Sequence, residues 1–150
     1  MTDQDVALIV GAGSGLSASL ARRFSVAGMK VALAARDTEK LADIKSEIGA
    51  QVYDCDTAET DQVQVLFDKV VRDLGTPMIV VSNASSRVRG KITEIDPDEV
   101  KSALLITAFG GFLVGQAAAK LMVPAGRGTI MFTGASAGVK GFPMSATFAM

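Results

Sequence analysis

One short segment constrains the fold of this chain more than any other. Residues 6–10 read Val-Ala-Leu-Ile-Val, and residues 11–17 read Gly-Ala-Gly-Ser-Gly-Leu-Ser. The apolar run is too short to span a membrane and has no helical period, which is typical of a strand buried on both faces of a parallel sheet. Alternating glycines let the backbone turn tightly and approach a ligand, and the helix that follows directs its free N–H groups to the same place. The segment therefore predicts a phosphate-binding turn.

The context of this turn favours nucleotide binding over a purely structural role. The glycines follow a predicted strand, open a helix and belong to a strand-helix-strand unit, which is where nucleotide-binding turns occur. We predict that the nucleotide contacts five residues of the turn: Gly11, Gly13, Ser14, Gly15 and Leu16.

Strands and helices alternate along the rest of the chain. Apolar runs predict four further strands, at residues 30–35, 51–55, 78–81 and 128–133. Helical periodicity predicts the intervening helices, the first from about residue 14 to 27, and a glycine-rich loop is expected after residue 133. Parallel strands joined by right-handed helical crossovers form an open sheet with helices on both faces. We therefore predict an α/β fold with a doubly wound parallel sheet, in one domain over residues 1–150.

The end of the second strand indicates which nucleotide is bound. An acidic residue there holds the ribose hydroxyls of NAD, whereas a cation accommodates the additional phosphate of NADP. The strand ends in Ala34-Ala35-Arg36, and a guanidinium is suited to phosphate oxygens. We predict NADP(H) in preference to NAD(H), with a solvated strand end as the alternative role of Arg36. Asp37 is interpreted as the cap of the next helix, although it is close enough to reach a ribose.

Composition limits the other partners. The net charge is −1 with no long run of one sign, so we expect neither nucleic acid nor an anionic membrane surface as a partner. The chain has no histidine and no acidic cluster at ligand spacing, so no metal is expected. Cys55 is the single cysteine, and the acidic first five residues precede only a brief apolar run. We therefore expect no secretory signal and a cytoplasmic location.

Residues 102–119 form the longest uncharged stretch, close to the length of a membrane span. Three glycines, Thr107 and Gln116 dilute its apolar character, and the stretch lies within the alternating strand-helix pattern. Asp96-Pro97-Asp98-Glu99 supplies a helix start with proline at the first position. We therefore favour a helix packed within the protein.

Taken together, these motifs resemble the short-chain dehydrogenase/reductase family along all 150 residues. The family's cofactor turn is Thr-Gly-x-x-x-Gly-x-Gly. Gly11 and Gly15 match its first two glycines, whereas Val10 and Ser17 replace its threonine and third glycine. The resemblance implies a Rossmann fold with three α/β/α layers and strand order 3-2-1-4-5. Family members continue beyond the fifth strand, so we expect that strand to form an uncovered sheet edge here.

The resemblance also implies further cofactor contacts. Asp56 is similar to the family's aspartate that contacts the adenine amino group, and a helix cap is its alternative role. Asn83 and Ala84 match part of the family's Asn-Asn-Ala-Gly motif, which lines the cofactor cleft. The helix near residues 97–123 resembles the long helix that builds the family's subunit interface, so a homo-oligomer is expected.

The catalytic positions of the family are altered. The family uses a tyrosine acid, a lysine four residues after it, a serine and an asparagine. Placing Gly138, Gly141 and Pro143 on the family's loop requires no gap. It puts Phe148 at the tyrosine, Ala135 at the serine and Thr107 at the asparagine. The lysine position falls past residue 150. Ser136 is the nearest substitute donor, followed by Ser145 and Thr147.

Two functions follow from this pattern. The first is an NADP(H)-dependent oxidoreductase that transfers a hydride between nicotinamide and a small carbonyl or alcohol substrate, with altered catalytic positions or an incomplete chain. The second is a non-catalytic NADP-binding regulatory or scaffold module. A methyltransferase is disfavoured because Val10 and Arg36 stand where that class usually has acidic residues. A phosphate-loop ATPase is excluded because the turn lacks Gly-Lys-Ser/Thr.

Overall fold

The computed structural model of the protein describes residues 4–149. The acidic start used above to argue against a secretory signal includes residues 1–3, which lie outside the described residues. The strands are β1 (Val6–Val10), β2 (Lys30–Ala35), β3 (Gln51–Asp54), β4 (Pro77–Ser82) and β5 (Thr129–Phe132). The helices are α1 (Leu16–Val26), α2 (Ala42–Ile48), α3 (Thr60–Asp73), α4 (Pro97–Leu104), α5 (Gly110–Ala125) and α6 (Ala146–Ala149).

All five strands form one parallel sheet in the order β3-β2-β1-β4-β5. The predicted fold class and strand order are confirmed. β2 lies on one side of β1 and β4 on the other, so the direction of winding reverses beside β1. Parallel α/β sheets form a crevice at this reversal, outside the carboxyl ends of the strands. The glycine turn stands at that point because it directly follows β1.

The core lies on both faces of the sheet, which makes three layers. Every residue of β1 is buried, as the apolar run predicted. One core cluster joins the sheet to α3 and α5 through side chains that include Leu66, Phe67 and Val114. The other joins the sheet to α1 and α2 through side chains that include Ala18, Ala21 and Ile44.

Three local features differ from the sequence prediction. Helix α1 begins at Leu16 and not at residue 14, because Gly15 is its N-cap and the turn before it is not helical. Helix α2 is preceded by a 3-10 turn at Glu39–Leu41. The segment after β5, predicted as a loop, contains a 3-10 turn at Ser136–Gly138 and the short helix α6. Its glycines and proline concealed these elements, since they weaken any helical pattern.

Helices α4 and α5 are joined by a π-helical turn at Leu105–Phe109, so that the three elements form one long helical rod. The turn packs against the loop after β3, where the Thr57 hydroxyl donates to the Ile106 carbonyl at 3.4 Å. A Cβ on Gly110 would lie 2.8 Å from Thr57, so only glycine fits there without displacement. The π turn was not predicted, because a single extra residue in a helix leaves no signal in apolar periodicity.

The rod Pro97–Ala125 is long and apolar enough to cross a membrane when judged by length and composition alone, and core helices of soluble proteins share these properties. Its buried side chains include Leu113, Val114, Ala118 and Met122, which join the core beside the sheet. These contacts favour the predicted helix packed within the protein. Phe112 and Val123, in contrast, are 57 % and 77 % exposed.

The predicted start of the rod is confirmed. Asp96 is the N-cap, its carboxylate accepts a hydrogen bond from the Asp98 N–H at 2.8 Å, and Pro97 occupies the first turn. We expect Asp96→Ala to lower the free energy of unfolding by about 1 kcal/mol, because an N–H of the first turn loses its acceptor. Asp98→Ala is the control, since it removes the same charge and leaves the cap. Equal losses in urea denaturation of the two variants would contradict a capping role.

Candidate functional site

A cleft of about 370 Å³ lies at the carboxyl ends of the central strands. It joins segments that are distant in sequence: the glycine turn, the end of β2, the loop after β3 and the loop after β4. Its lining residues are Gly11, Ala12, Ala35, Arg36, Asp37, Lys40, Cys55, Thr57, Asn83, Ala84, Ser85 and Ile106. Four of the predicted cofactor residues are therefore brought together in one cavity: Gly11, Arg36, Asn83 and Ala84.

The glycines of the turn have two different physical roles. Gly11 has φ of 80°, and a Cβ there would lie 2.2 Å from the Ala84 backbone nitrogen, so the turn is pressed against the loop after β4. A Cβ on Gly13 or Gly15 would meet nothing within 4 Å. Ser14, Gly15 and Leu16 are exposed. The turn is thus fixed at its base, Gly11, and open on its outer side, which consists of residues 13–16.

Asn83 and Ser17 hold the turn to the end of β4. The Asn83 side-chain amide donates to the Ser17 hydroxyl at 2.9 Å and to the Gly11 carbonyl at 3.2 Å, and its backbone N–H donates to the Val10 carbonyl at 2.8 Å. Ser17 replaces the third glycine of the family pattern, and its hydroxyl also donates to the Gly11 carbonyl at 3.4 Å. From the sequence alone, Ser17 was assigned no role beyond replacing that glycine.

This network predicts a measurable cost for removing the Ser17 hydroxyl. We expect Ser17→Ala to lower the free energy of unfolding by about 1 kcal/mol, because a part-buried hydrogen bond to Asn83 is lost. Ser19→Ala is the matched control on the exposed side of the same helix, where a change within about 0.5 kcal/mol is expected. Urea denaturation measures both variants, and a loss no greater in Ser17→Ala than in the control would contradict the network.

The end of β2 carries a cluster of three charged side chains in the cleft: Arg36, Asp37 and Lys40. The Lys40 ammonium lies 3.0 Å from the Asp37 carboxylate, and this contact holds the pKa of Asp37 below its usual value. Among residues 4–149, Arg36 takes part in no ion pair with a carboxylate. The cluster therefore carries a net positive charge and an available guanidinium.

Asp56 occupies a different setting from the other predicted cofactor residues. Its carboxylate accepts a hydrogen bond from the Ala58 N–H at 3.0 Å, and its own N–H donates to Gln62 at 2.8 Å. These bonds stabilise the turn that leads into α3. Cys55 and Thr57, on either side of it, line the cleft, whereas Asp56 does not. An adenine contact by Asp56 therefore stays a prediction.

Tyr53 in β3 and Cys55 just after β3 are poor candidates for proton transfer. Burial raises the pKa of the Cys55 thiol to about 11, so the thiol is neutral and a weak nucleophile near pH 7. Tyr53 is the only tyrosine of the chain, and its hydroxyl donates to Asp73 at 3.2 Å. Burial and the Asp73 carboxylate raise the pKa of Tyr53 to about 12. Tyr53 also lies outside the residues that line the cleft.

A second cleft of about 470 Å³ lies between the loop after β4 and the segment after β5. It brings together Ala135 and Phe148, which the resemblance predicts at catalytic positions of the family, and Ser136, the predicted substitute donor. The substitute donors Ser145 and Thr147 are buried, and their hydroxyls donate to the carbonyls of Pro143 at 3.4 Å and Val88 at 3.0 Å.

Thr107 is not among the residues that line the second cleft. It lies in the π turn, where its hydroxyl accepts a hydrogen bond from the Ser86 N–H at 2.9 Å. Sequence reasoning missed three cations that line the two clefts: Lys40, Arg87 and Arg89. Lys40 lies in the 3-10 turn four residues after Arg36, so a search for a second cation near the end of β2 would have found it. Arg87 and Arg89 lie in the loop after β4, and no motif singles them out.

Comparison with known proteins identifies the family. The profile described as short chain dehydrogenase matches residues 5–149. The chain belongs to the short-chain dehydrogenase/reductase family. Short chain aldehyde dehydrogenase 1 of Euphorbia lathyris is 31% identical over 144 residues, which cover 92% of this chain and 50% of that protein. Versicolorin reductase of Emericella nidulans is 30% identical over 152 residues, covering 97% of this chain and 57% of that protein.

Solved structures of short-chain dehydrogenases share the architecture. A short-chain dehydrogenase from Rhodopseudomonas palustris superposes with a TM-score of 0.89 at 27% identity, covering 97% of this chain and 70% of that one. A variant of actinorhodin polyketide ketoreductase with NADPH superposes with a TM-score of 0.94 at 26% identity, covering 99% and 60%. The chain spans about half the length of the sequence relatives named above. The family is one of oxidoreductases that bind nicotinamide cofactors.

Proposed function

We propose that the protein binds NADP(H) in the first cleft and is an oxidoreductase that acts on a small carbonyl or alcohol substrate. The observation that carries the proposal is the presence of Arg36 and Lys40 in the same cavity as the glycine turn. Two cations against one carboxylate favour a ligand that bears an additional phosphate. The structural neighbour described with NADPH supports the same coenzyme.

The residues fit such a ligand. The open side of Gly13 and Gly15 leaves space for a pyrophosphate beside the N-terminus of α1, where free N–H groups and the helix dipole favour negative charge. Arg36 offers a planar fork of donors to the 2′-phosphate, and Lys40 adds a point charge while it pairs with Asp37. Asn83 fixes the base of the turn and so keeps these groups in register.

Proton delivery is the weak part of the site. NADPH supplies a hydride when bound, and the alkoxide that a carbonyl substrate becomes then needs a proton. Phe148 has no proton to give, and the hydroxyls of Ser145 and Thr147 already donate to backbone carbonyls. Ser136 is the other serine that lines the second cleft beside Ser145, and an unperturbed serine is a poor acid near neutral pH. General acid catalysis contributes about 10²–10⁴-fold, so we expect slow turnover.

The altered positions also favour a second candidate function, a non-catalytic NADP-binding module. The two functions are distinguished by substrate-dependent loss of NADPH absorbance over a panel of aldehydes, ketones and activated alkenes, measured on wild type and Ser136→Ala. The oxidoreductase predicts turnover that falls at least about tenfold in the variant. Coenzyme binding without turnover on the panel supports the module instead. Absence of coenzyme binding contradicts both.

We further propose that a second copy of the chain packs on the long rod near residues 97–123. Leu105, Phe109 and Phe112 are each at least 40% exposed on this rod. Such an apolar surface on a helix is typical of a subunit contact. A dimer or larger assembly in sedimentation analysis, dissociated by Phe112→Glu, is the expected result, and a monomer at high concentration would contradict it.

A further inference from the structure

We propose that Arg87 and Arg89 form an anion-recognition subsite that selects substrates carrying a carboxylate or phosphate group. The inference rests on the proposed function, because it assigns a substrate class to the second cleft. It concerns two arginines that have no part in the coenzyme proposal. Both side chains line the second cleft together with Ser136 and Phe148.

The charge in this cleft is of one sign. Its lining residues include two arginines and no aspartate or glutamate. Neither arginine forms an ion pair with a carboxylate in the part of the chain that the structure describes. Lys140 does not line the cleft, but its ammonium lies 5.1 Å from the centre of the ring of Phe142, which does. A concave surface with unpaired guanidinium groups attracts and binds anions.

Arg87 is held in place and not merely solvated. Its guanidinium carbon lies 5.5 Å from the centre of the Phe148 ring, which is a favourable cation–π distance. One of its terminal nitrogens lies 3.5 Å from the buried Ser145 hydroxyl. These contacts direct the guanidinium across the position where the family carries its tyrosine. The Phe148 ring thus supplies a face that orients a cation, as a tyrosine ring at this position also would.

The backbone around the two arginines is tied to the opposite wall of the cleft. The Thr147 hydroxyl donates to the Val88 carbonyl at 3.0 Å, and the Gly90 N–H donates to the Met144 carbonyl at 3.4 Å. These bonds fall between and just after the two arginines. They fix the spacing of Arg87 and Arg89 relative to Ser136 and Phe148, as a binding subsite requires.

The cleft also fits the uncharged part of such a substrate. Its wall contains the apolar side chains Phe142, Pro143, Met144 and Phe148, and its volume is sufficient for a small organic acid. An oxo acid would then place its anionic group on the arginines and its apolar group on this wall. The proposed ligand class is therefore a small carbonyl or hydroxy compound that carries one anionic group.

A matched pair of probes tests this assignment. Benzoylformate and its methyl ester differ in one negative charge and share the same ring and ketone, and benzoylphosphonate distinguishes a preference for phosphate-type oxygens. Each is titrated calorimetrically into the full chain, both with and without saturating NADP. We expect an anionic probe to bind at least about tenfold more tightly than the ester, since charge-assisted hydrogen bonds to arginine are made only by the anion.

Substitutions locate the effect. Arg89 lines the cleft, so Arg89→Met is expected to weaken binding of the anionic probe about tenfold and to leave binding of the ester unchanged. Arg87→Met is expected to act in the same direction. Arg23→Met, on the exposed side of α1, removes the same charge far from the cleft and should change neither. Equal binding of anion and ester by wild type, or equal losses in Arg89→Met and Arg23→Met, would overturn the proposal.

Failure of this proposal is distinguishable from failure of the proposed function. The titrations without NADP measure the arginine subsite whether or not coenzyme binds. NADP binding by the same variants is measured separately, and Arg89→Met is expected to leave its dissociation constant unchanged. A loss of NADP affinity in Arg89→Met equal to its loss for the anionic probe would contradict a separate substrate subsite and assign the arginines to the coenzyme.

Discussion

Gly11→Ala is expected to destabilise the protein severely. The added methyl carbon would lie 2.2 Å from the Ala84 backbone nitrogen and 2.3 Å from its Cα, and neither backbone atom can rotate away. The residue also has φ of 80°, a conformation that costs a residue with a side chain about 1–2 kcal/mol. Overpacking adds typically about 1–3 kcal/mol. We expect a loss of about 3 kcal/mol in the free energy of unfolding, measured by urea denaturation.

Gly13→Ala is the matched control for this effect. A Cβ at Gly13 meets no atom within 4 Å, and the residue is not among the glycines with positive φ. We expect its stability to change by no more than about 0.5 kcal/mol. Its NADP affinity, in contrast, should fall at least about tenfold, because the methyl group enters the space proposed for the pyrophosphate. Equal stability of the two variants would contradict the fixed base of the turn.

Arg36→Asp is expected to remove the preference for NADP. The substitution deletes a charge-assisted contact worth about 1.5–3 kcal/mol and places a carboxylate beside the phosphate, so NADP affinity should fall about 100-fold. NAD affinity should be unchanged or slightly higher, because an acidic residue at the end of β2 can accept hydrogen bonds from the ribose. Calorimetric titration with both coenzymes measures the two effects in the same samples.

Two further variants define the specificity of this result. Lys40→Met should weaken NADP about tenfold, a smaller loss because Lys40 already pairs with Asp37. Arg23→Asp makes the same charge reversal on the exposed side of α1 and should leave both coenzymes unaffected. An equal loss of affinity for NAD and for NADP in Arg36→Asp would indicate general damage to the cleft. It would contradict the proposal that Arg36 binds the additional phosphate.

Most of the fold was predictable because its strands are short apolar runs ended by turn residues. No bound of a predicted strand differs from the observed bound by more than one residue. Gly49 ends α2 with φ of 68°, as a C-terminal glycine should. The prediction of a loop after the fifth strand was wrong, because the structure has a 3-10 turn and the short helix α6 there. Helix α6 has only four residues, and such a short element depends on tertiary contacts and not on its own sequence.

The candidate site was predictable where the backbone alone determines it. Gly11 was identified from the turn after β1 and Asn83 from its match to the family's motif, and the structure joins them by a hydrogen bond. The role of Ser17 required knowledge of which hydroxyl faces the turn, and sequence spacing does not give that direction. Arg87 could not be assigned to the cleft before the loop after β4 was seen packed on the segment that carries Phe148.

The central claim is that the cations at the end of β2 select the phosphorylated coenzyme. Calorimetric titration of the unmodified chain with NADP and with NAD tests it most directly. The account predicts a dissociation constant for NADP at least about tenfold lower than that for NAD, with a difference that narrows as salt screens the exposed guanidinium. Equal dissociation constants, or no heat with either coenzyme, would contradict it.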